Sequence, residues 1–379
     1  MIKASLIYDG RGYPNIPEEM GKPKEGQMEG TPAEQLTELA GRICYDSLDK
    51  GRSSREYHEH VLKVGHLSVC EHFHFTVSMQ IDISPSMMGR VMYVPLLYLY
   101  QSVANRPGIY ITQHGNNGVR ITTNLRTVLD WDQYTKEFIW ADSPLRNVAT
   151  ALGDALANVA NSLAPTLVKP KRQITSAKAD LNFGIKMDMN PADPIDDHEK
   201  WVSLFCSGSR GMSHELVKHG DWTGISQRST RFVDETETPW ITHPLLSMYL
   251  QDTKDDALGK RIEDLVKQSR SVYCDTTNAL EKWISERGVE KVAARKQARG
   301  AARGYLGNGL LTELIFSASV AQWKHMLRLR CSAPAEAEIR QVFCEALQAL
   351  KRTGYYDSFK DLDVVTSPDG VGKCLKEQG

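Results

Sequence analysis

With 379 residues, 41% hydrophobic and 25% charged, the chain has the balance of a globular protein with a sizeable core, which excludes disordered and collagen-like classes. Lys and Arg number 46 against 47 Asp and Glu, a net charge of -1, so no global field favours nucleic acid and any basic site is local. Seven dispersed cysteines without a CxxC pair exclude a disulfide-stapled scaffold and point to a reducing, cytoplasmic setting; no secretion signal opens the chain, and no run approaches the ~18 apolar residues of a membrane span.

In chain order, residues 31–50 carry Leu36, Leu39, Ala40, Ile43 and Cys44 at helical spacing behind a Thr31-Pro32 start, which predicts a capped helix. Residues 72–79 alternate and are rich in aromatic and β-branched side chains, which predicts a strand with His72 and His74 on one face. Residues 85–111 fit either a helix or a strand. Residues 119–131 read as a strand entering a helix with Asn124 as its cap, and 144–163 as a helix with Val148, Leu152, Leu156, Val159 and Leu163 on one side. From 165 to 199 Pro, Asp and Lys dominate with little period, which predicts a long loop or the exposed part of an insertion. A strand is expected at 201–206 and a short helix at 212–219. The last third reads as helices at 255–286, 289–305, 310–330 and 335–352, followed by a loosely held polar tail from residue 357. At ~1.5 Å per residue the 310–330 helix would extend on the order of 30 Å and present Arg330 to a partner.

Three stretches concentrate polar side chains beyond what solvation needs. Residues 65–74 hold His66, Glu71, His72 and His74; a metal site, a satisfied structural cluster and a ligand-facing turn are all open, with the turn preferred because no HExxH helix is present. Residues 209–231 gather Arg210, His214, Lys218, His219, Arg228 and Arg231 with Gly220, Gly224, Ser226, Ser229 and Thr230. Such a set can wrap a phosphate, although a solvated loop has the same composition. Residues 301–330 carry Arg303 and close on His325 and Arg330, arginines that elsewhere are more often surface residues. No P-loop, GxGxxG unit or GxSxG elbow occurs.

Taken in order, these blocks resemble the flavin-dependent thymidylate synthases. The resemblance runs through Leu39-Ala-Gly-Arg-Ile-Cys-Tyr-Asp-Ser47, Gly65-His-Leu-Ser-Val-Cys-Glu-His72, Ser213-His-Glu-Leu-Val-Lys-His219, Ser226-Gln-Arg-Ser-Thr-Arg-Phe232, Ala302-Arg303, Leu310-Leu-Thr-Glu-Leu314 and Leu327-Arg-Leu-Arg330. It implies an α/β (α+β) fold, a central antiparallel-rich sheet with long helices, in one domain over 1–379 with a family-variable insertion at about 85–199. It further implies FAD-dependent reductive methylation of dUMP at C5 to dTMP, with methylenetetrahydrofolate and NADPH as co-substrates and the sites at the interfaces of a homotetramer. Neither nucleic acid nor membrane is an implied partner. The alternatives are C5 alkylation of another pyrimidine nucleotide, UMP or a cytosine nucleotide, and a nucleotide-binding relative without turnover.

Carried over position by position, His66 and Ser68 resemble part of the flavin and folate pocket, and Lys218, His219 and Gly220 stand where the family has Arg-His-Arg. Glu215, Gln227, Arg228, Ser229, Thr230 and Arg231 resemble the nucleotide loop, with Ser229 near the reacting carbon and Gln227 also toward the cofactor. Arg303 resembles a further nucleotide arginine. Ser319 and His325 stand at cofactor positions where asparagines are frequent, and Arg330 resembles the arginine that polarises the pyrimidine. Hydride chemistry belongs to the flavin, so no catalytic cysteine is implied and no metal is called for.

Overall fold

A computed structural model describes residues 2–82, 108–114, 118–138, 144–170, 186–219 and 223–376. Its strands are β1 (Lys3–Tyr8), β2 (His74–Asp82), β3 (Ile109–His114), β4 (Gly118–Asn124), β5 (Lys186–Ala192), β6 (Trp201–Ser209), β7 (Gly224–Gln227), β8 (Leu311–Ser319), β9 (Val364–Thr366) and β10 (Lys373–Leu375). They form a four-stranded sheet in the order β1-β6-β8-β7, a second in the order β3-β4-β2-β5, and a hairpin of β9 and β10. The pairings are antiparallel, as an α+β reading requires.

The first sheet is buried on both faces. Val202, Leu204 and Cys206 of β6 and Leu314, Phe316 and Ala318 of β8 point to one side, where Trp323, Ile339, Phe343 and Leu347 cover them. Phe205 and Ile315 point to the other and join Leu36, Leu39, Ala40 and Ile43 of the helix Pro32–Tyr45. That second core continues without a break into the other sheet, through Val77, Ile121, Leu152 and Leu156. Trp131 seals this end: its indole N–H donates to the Ala149 carbonyl at 2.7 Å, and Gly153 leaves the room its ring occupies.

Several expectations hold. Thr31 and Glu34 form a reciprocal capping box at Pro32–Tyr45, Asn124 caps Leu125–Leu129 by accepting from the Thr127 N–H at 2.8 Å, and Pro144–Leu163, Asp256–Ser285, Lys291–Ala302 and Ala337–Leu350 are helices.

Others are corrected. Residues 310–330 are not one helix: β8 occupies Leu311–Ser319, and only Val320–Arg330 is helical. A strand buried on both faces reads as a continuous apolar run, which periodicity cannot distinguish from a buried helix. Arg330 is therefore not carried outward on a long rod. Within the 165–199 loop, β5 forms an edge strand against β2, where the edge position tolerates Pro191. The strand expected from residue 72 begins at His74, because Leu67–Glu71 is a 3-10 turn that His72 closes. The tail is not loose either: Phe359 and Cys374 are buried, and the Leu375 N–H donates to the Cys331 carbonyl at 2.7 Å. Of residues 85–111, only 108–111 are described, and there β3 begins. Among the described residues no helix is long and apolar enough to cross a membrane.

Candidate functional site

Two cationic groups form where the sequence shows one patch. The first lies between the turn after Arg210–Leu216 and the end of Val320–Arg330. Glu215 is its hub: Oε1 accepts from Lys218 Nζ at 3.0 Å and Oε2 from Arg330 Nη1 at 2.7 Å. Arg330 Nε–H also donates to His219 Nε2 at 2.9 Å, so that nitrogen carries no proton. Burial, followed by the charges of Arg330 and His325, holds the His219 pKa below its ordinary value and keeps the ring a proton acceptor. His325 itself is exposed. Gly220 lies outside the described residues.

The second group surrounds the loop that follows β7. Gln227 is partly buried and donates to Ser213 Oγ at 2.9 Å and Thr312 Oγ1 at 3.0 Å. Arg228 turns inward among Glu313 (3.6 Å), Glu235 (3.7 Å) and Asp46 (4.0 Å), and its backbone N–H donates to the Glu313 carbonyl. Ser229 is tied by its N–H to the Cys44 carbonyl at 3.0 Å, and the Phe232 and Val233 N–H groups return to the Ser229 carbonyl. This tight turn leaves Arg231 exposed and Thr230 buried.

Thr230 faces a cavity of about 330 Å³ whose wall also includes Arg210, Arg303, Gly307 and Asn308. Among the described residues neither arginine forms an ion pair, although Glu235 is close enough to act on Arg210 through its field. Burial first, and then the charge of Arg303, push the Arg210 pKa down. Arg210 thus lines this polar cavity with its charged form disfavoured by burial and by the neighbouring guanidinium. Arg210 is visible in the sequence as part of the basic patch, but its partnership with Arg303, 93 positions away in the numbering, needs the fold.

Beside this loop stands an aromatic group that residue spacing does not reveal. Tyr45 Oη is 2.8 Å from His66 Nδ1, the Phe232 ring meets Tyr45 edge-on with centroids 4.8 Å apart, and Lys296 Nζ stands 4.8 Å from the Phe232 centroid. His66 and Ser68 are both exposed at this turn. Ser319, by contrast, is buried as the cap of Val320–Arg330, accepting from the Gln322 N–H at 3.2 Å. His72 and His74 do not share a strand face: His72 bonds to Ser317 and Ser226, and His74 stacks on Trp201. Among the described residues no three His, Cys, Asp or Glu side chains converge as a metal site.

The chain is thus an α+β protein of antiparallel sheets, with a cavity of about 330 Å³ lined by Arg210, Thr230 and Arg303. The family model described as thymidylate synthase complementing protein matches residues 28–88 and 198–353, and the chain belongs to that family. It is similar to the flavin-dependent thymidylate synthases of Corynebacterium efficiens (35% identity over 163 residues, 43% of this chain and 62% of that protein) and Mycobacterium marinum (32% over 170 residues, 45% and 64%). The relative from Mycolicibacterium gilvum is 30% identical over 171 residues, 45% of this chain and 65% of that protein. The chain thus covers a little under two thirds of the length of these relatives.

Proposed function

We propose that the chain is a flavin-dependent thymidylate synthase that methylates dUMP at C5, taking the one-carbon unit from methylenetetrahydrofolate and electrons from NADPH through FAD. The observation that carries this is the Arg210–Arg303 cavity beside the Ser229–Arg231 turn: two guanidiniums and a buried hydroxyl suit a nucleotide phosphate. The fit extends to the flavin. Lys218 offers positive charge for a pyrophosphate, and His66, Tyr45 and Phe232 offer flat surfaces for a ring. A cavity of about 330 Å³ is of a size for a nucleoside monophosphate.

When bound, the flavin supplies the hydride chemistry. The chain's own part is binding and orientation. Arg210, Arg303 and Arg231 hold the phosphate, the 229–231 turn sets the sugar, and Arg330, fixed by Glu215 and His219, presents a guanidinium that favours the ionised pyrimidine ring. The test is the absorption spectrum of the purified protein together with NADPH oxidation in the presence of dUMP, UMP or dCMP. A flavin spectrum and oxidation stimulated most by dUMP support the reading; a colourless protein that binds no added FAD refutes it. Arg210→Ala is expected to raise the KM for dUMP by about tenfold or more with little change in kcat, because it removes charge-assisted bonds to a part of the substrate that does not react.

No cysteine is expected to be essential. Burial pushes the Cys44 thiol up to about 11 and those of Cys70 and Cys206 up to about 12, far from the thiolate that attack on C6 of the base would need. Cys344 is shifted down through its hydrogen bond with Cys331, but both lie in the core against Phe343 and Leu347. Single replacement of each of the seven should leave measurable turnover. One variant that keeps fold and flavin yet loses all turnover would contradict this.

A further inference from the structure

A buried run of hydrogen bonds crosses the first sheet on the face opposite Trp323. Ser203 of β6 and Ser317 of β8 are register partners with hydroxyls 2.6 Å apart. Ser317 Oγ is 2.7 Å from His72 Nδ1, and His72 Nε2 is 2.9 Å from Ser226 Oγ on β7. Nearby on the helix Pro32–Tyr45, the Cys44 thiol donates to the Ala40 carbonyl at 3.5 Å. Ser203, Ser317, His72 and Ser226 are each at most 2% exposed.

Each hydroxyl carries one proton and a neutral imidazole one, so one ring nitrogen of His72 donates to its serine while the other accepts from its own. An imidazolium would donate at both nitrogens and break this order. Burial lowers the His72 pKa to about 3, which keeps the ring neutral.

The run ends where the 227–231 loop begins. Gly224 packs against the ring so closely that a Cβ there would stand 3.1 Å from His72 Nδ1. Beyond Ser226 the loop is also held by Gln227, which donates to Ser213 and Thr312, by Arg228 among its carboxylates and through its N–H to the Glu313 carbonyl, and by the Ser229 N–H to the Cys44 carbonyl, before Thr230 reaches the cavity. We propose that His72 is a positioning residue for this loop, setting through Ser226 where Ser229, Thr230 and Arg231 stand; the identity of the ligand rests on the proposed function.

The experiment compares the wild-type chain with His72→Phe, Ser226→Ala, their double variant and Thr122→Val. The last removes a buried hydroxyl pair with Thr76, 2.8 Å apart, in the other sheet. Two quantities are read: dUMP affinity by calorimetry, and backbone hydrogen exchange of residues 226–231 without ligand. His72→Phe and Ser226→Ala should each weaken dUMP binding roughly ten- to a hundredfold and speed loop exchange, and the double variant should be no worse than the weaker-binding single, since both cut one link. Thr122→Val should lower the melting temperature without changing either reading. Wild-type affinity and wild-type loop exchange in Ser226→Ala would overturn the proposal even if His72→Phe failed to fold, as would effects that add in the double variant. A wild-type chain that bound no dUMP would defeat the nucleotide reading, while loop exchange would still decide the positioning one.

Discussion

Replacing Arg330 with alanine is expected to lower turnover by about 30- to 1,000-fold while flavin content stays near that of the wild type, the range set by about 2 to 4 kcal/mol of lost transition-state stabilisation. The guanidinium is held on two sides before any substrate arrives: Glu215 accepts from Nη1 and His219 from Nε. Such preorganisation means that its charge costs little reorientation when the pyrimidine ionises. Arg330→Lys should recover only part of the loss, since a point charge cannot serve Glu215 and His219 in the same plane. Rates measured with saturating dUMP and reconstituted flavin check this, and near-normal turnover of Arg330→Ala would remove Arg330 from the site.

The second large effect is on stability. Arg42 and Glu38 are both buried and form an ion pair at 2.7 Å, with Arg42 also donating to the carbonyls of Ser47 (2.8 Å), Lys50 (3.2 Å) and Arg52 (2.7 Å). This one side chain fastens the loop after Pro32–Tyr45 to its own helix. Arg42→Ala leaves the Glu38 carboxylate buried with the Met28 N–H and Ser54 hydroxyl as its remaining partners, and should cost about 3 to 5 kcal/mol. Arg42→Met combined with Glu38→Leu should recover part of that loss, because no unpaired charge remains. Urea unfolding midpoints at a common slope check both. Because Cys44 and Tyr45 lie on the same helix end, Arg42→Ala should also disturb the Ser229 anchor, so its activity must be read against its folded fraction.

Helix ends were the most legible part of the fold in the sequence. Thr31 before Pro32 and Asn124 before Leu125 read as caps from residue type and place, and in the fold each accepts from the backbone N–H three residues on. Strands buried on both faces were not legible. β8 carries Leu314, Ile315 and Phe316 in succession, each packed, so the alternation that marks a half-buried strand is missing. β5 failed for the opposite reason: as an edge strand with Lys186, Asp188 and Pro191 it carries little apolar signal, and only its pairing with β2 makes it a strand.

The site divides along the same line. The basic patch at 209–231 was visible as composition, but its division into a Glu215–Arg330 ridge and an Arg210–Arg303 cavity follows from distant segments meeting across β8. The family resemblance placed Arg228 and Ser319 with the ligand-facing groups. In the fold Arg228 sits among three carboxylates brought by distant segments, while Ser319 caps its own helix through the Gln322 N–H three residues on. His72 reads in sequence as one of three clustered histidines, and its two serine partners, 154 and 245 positions away, give it its role.

The most direct test of the proposed function is the fate of the one-carbon unit. The purified chain, reconstituted with FAD, is incubated anaerobically with dUMP, NADPH and methylenetetrahydrofolate carrying carbon-13 in its methylene group, and the nucleotide is recovered for mass spectrometry. The account predicts a labelled methyl group on C5 of the base, formed only when all three small molecules are present and greatly reduced in Arg330→Ala. Recovery of unlabelled dUMP from a chain that has bound flavin and oxidised NADPH would contradict it.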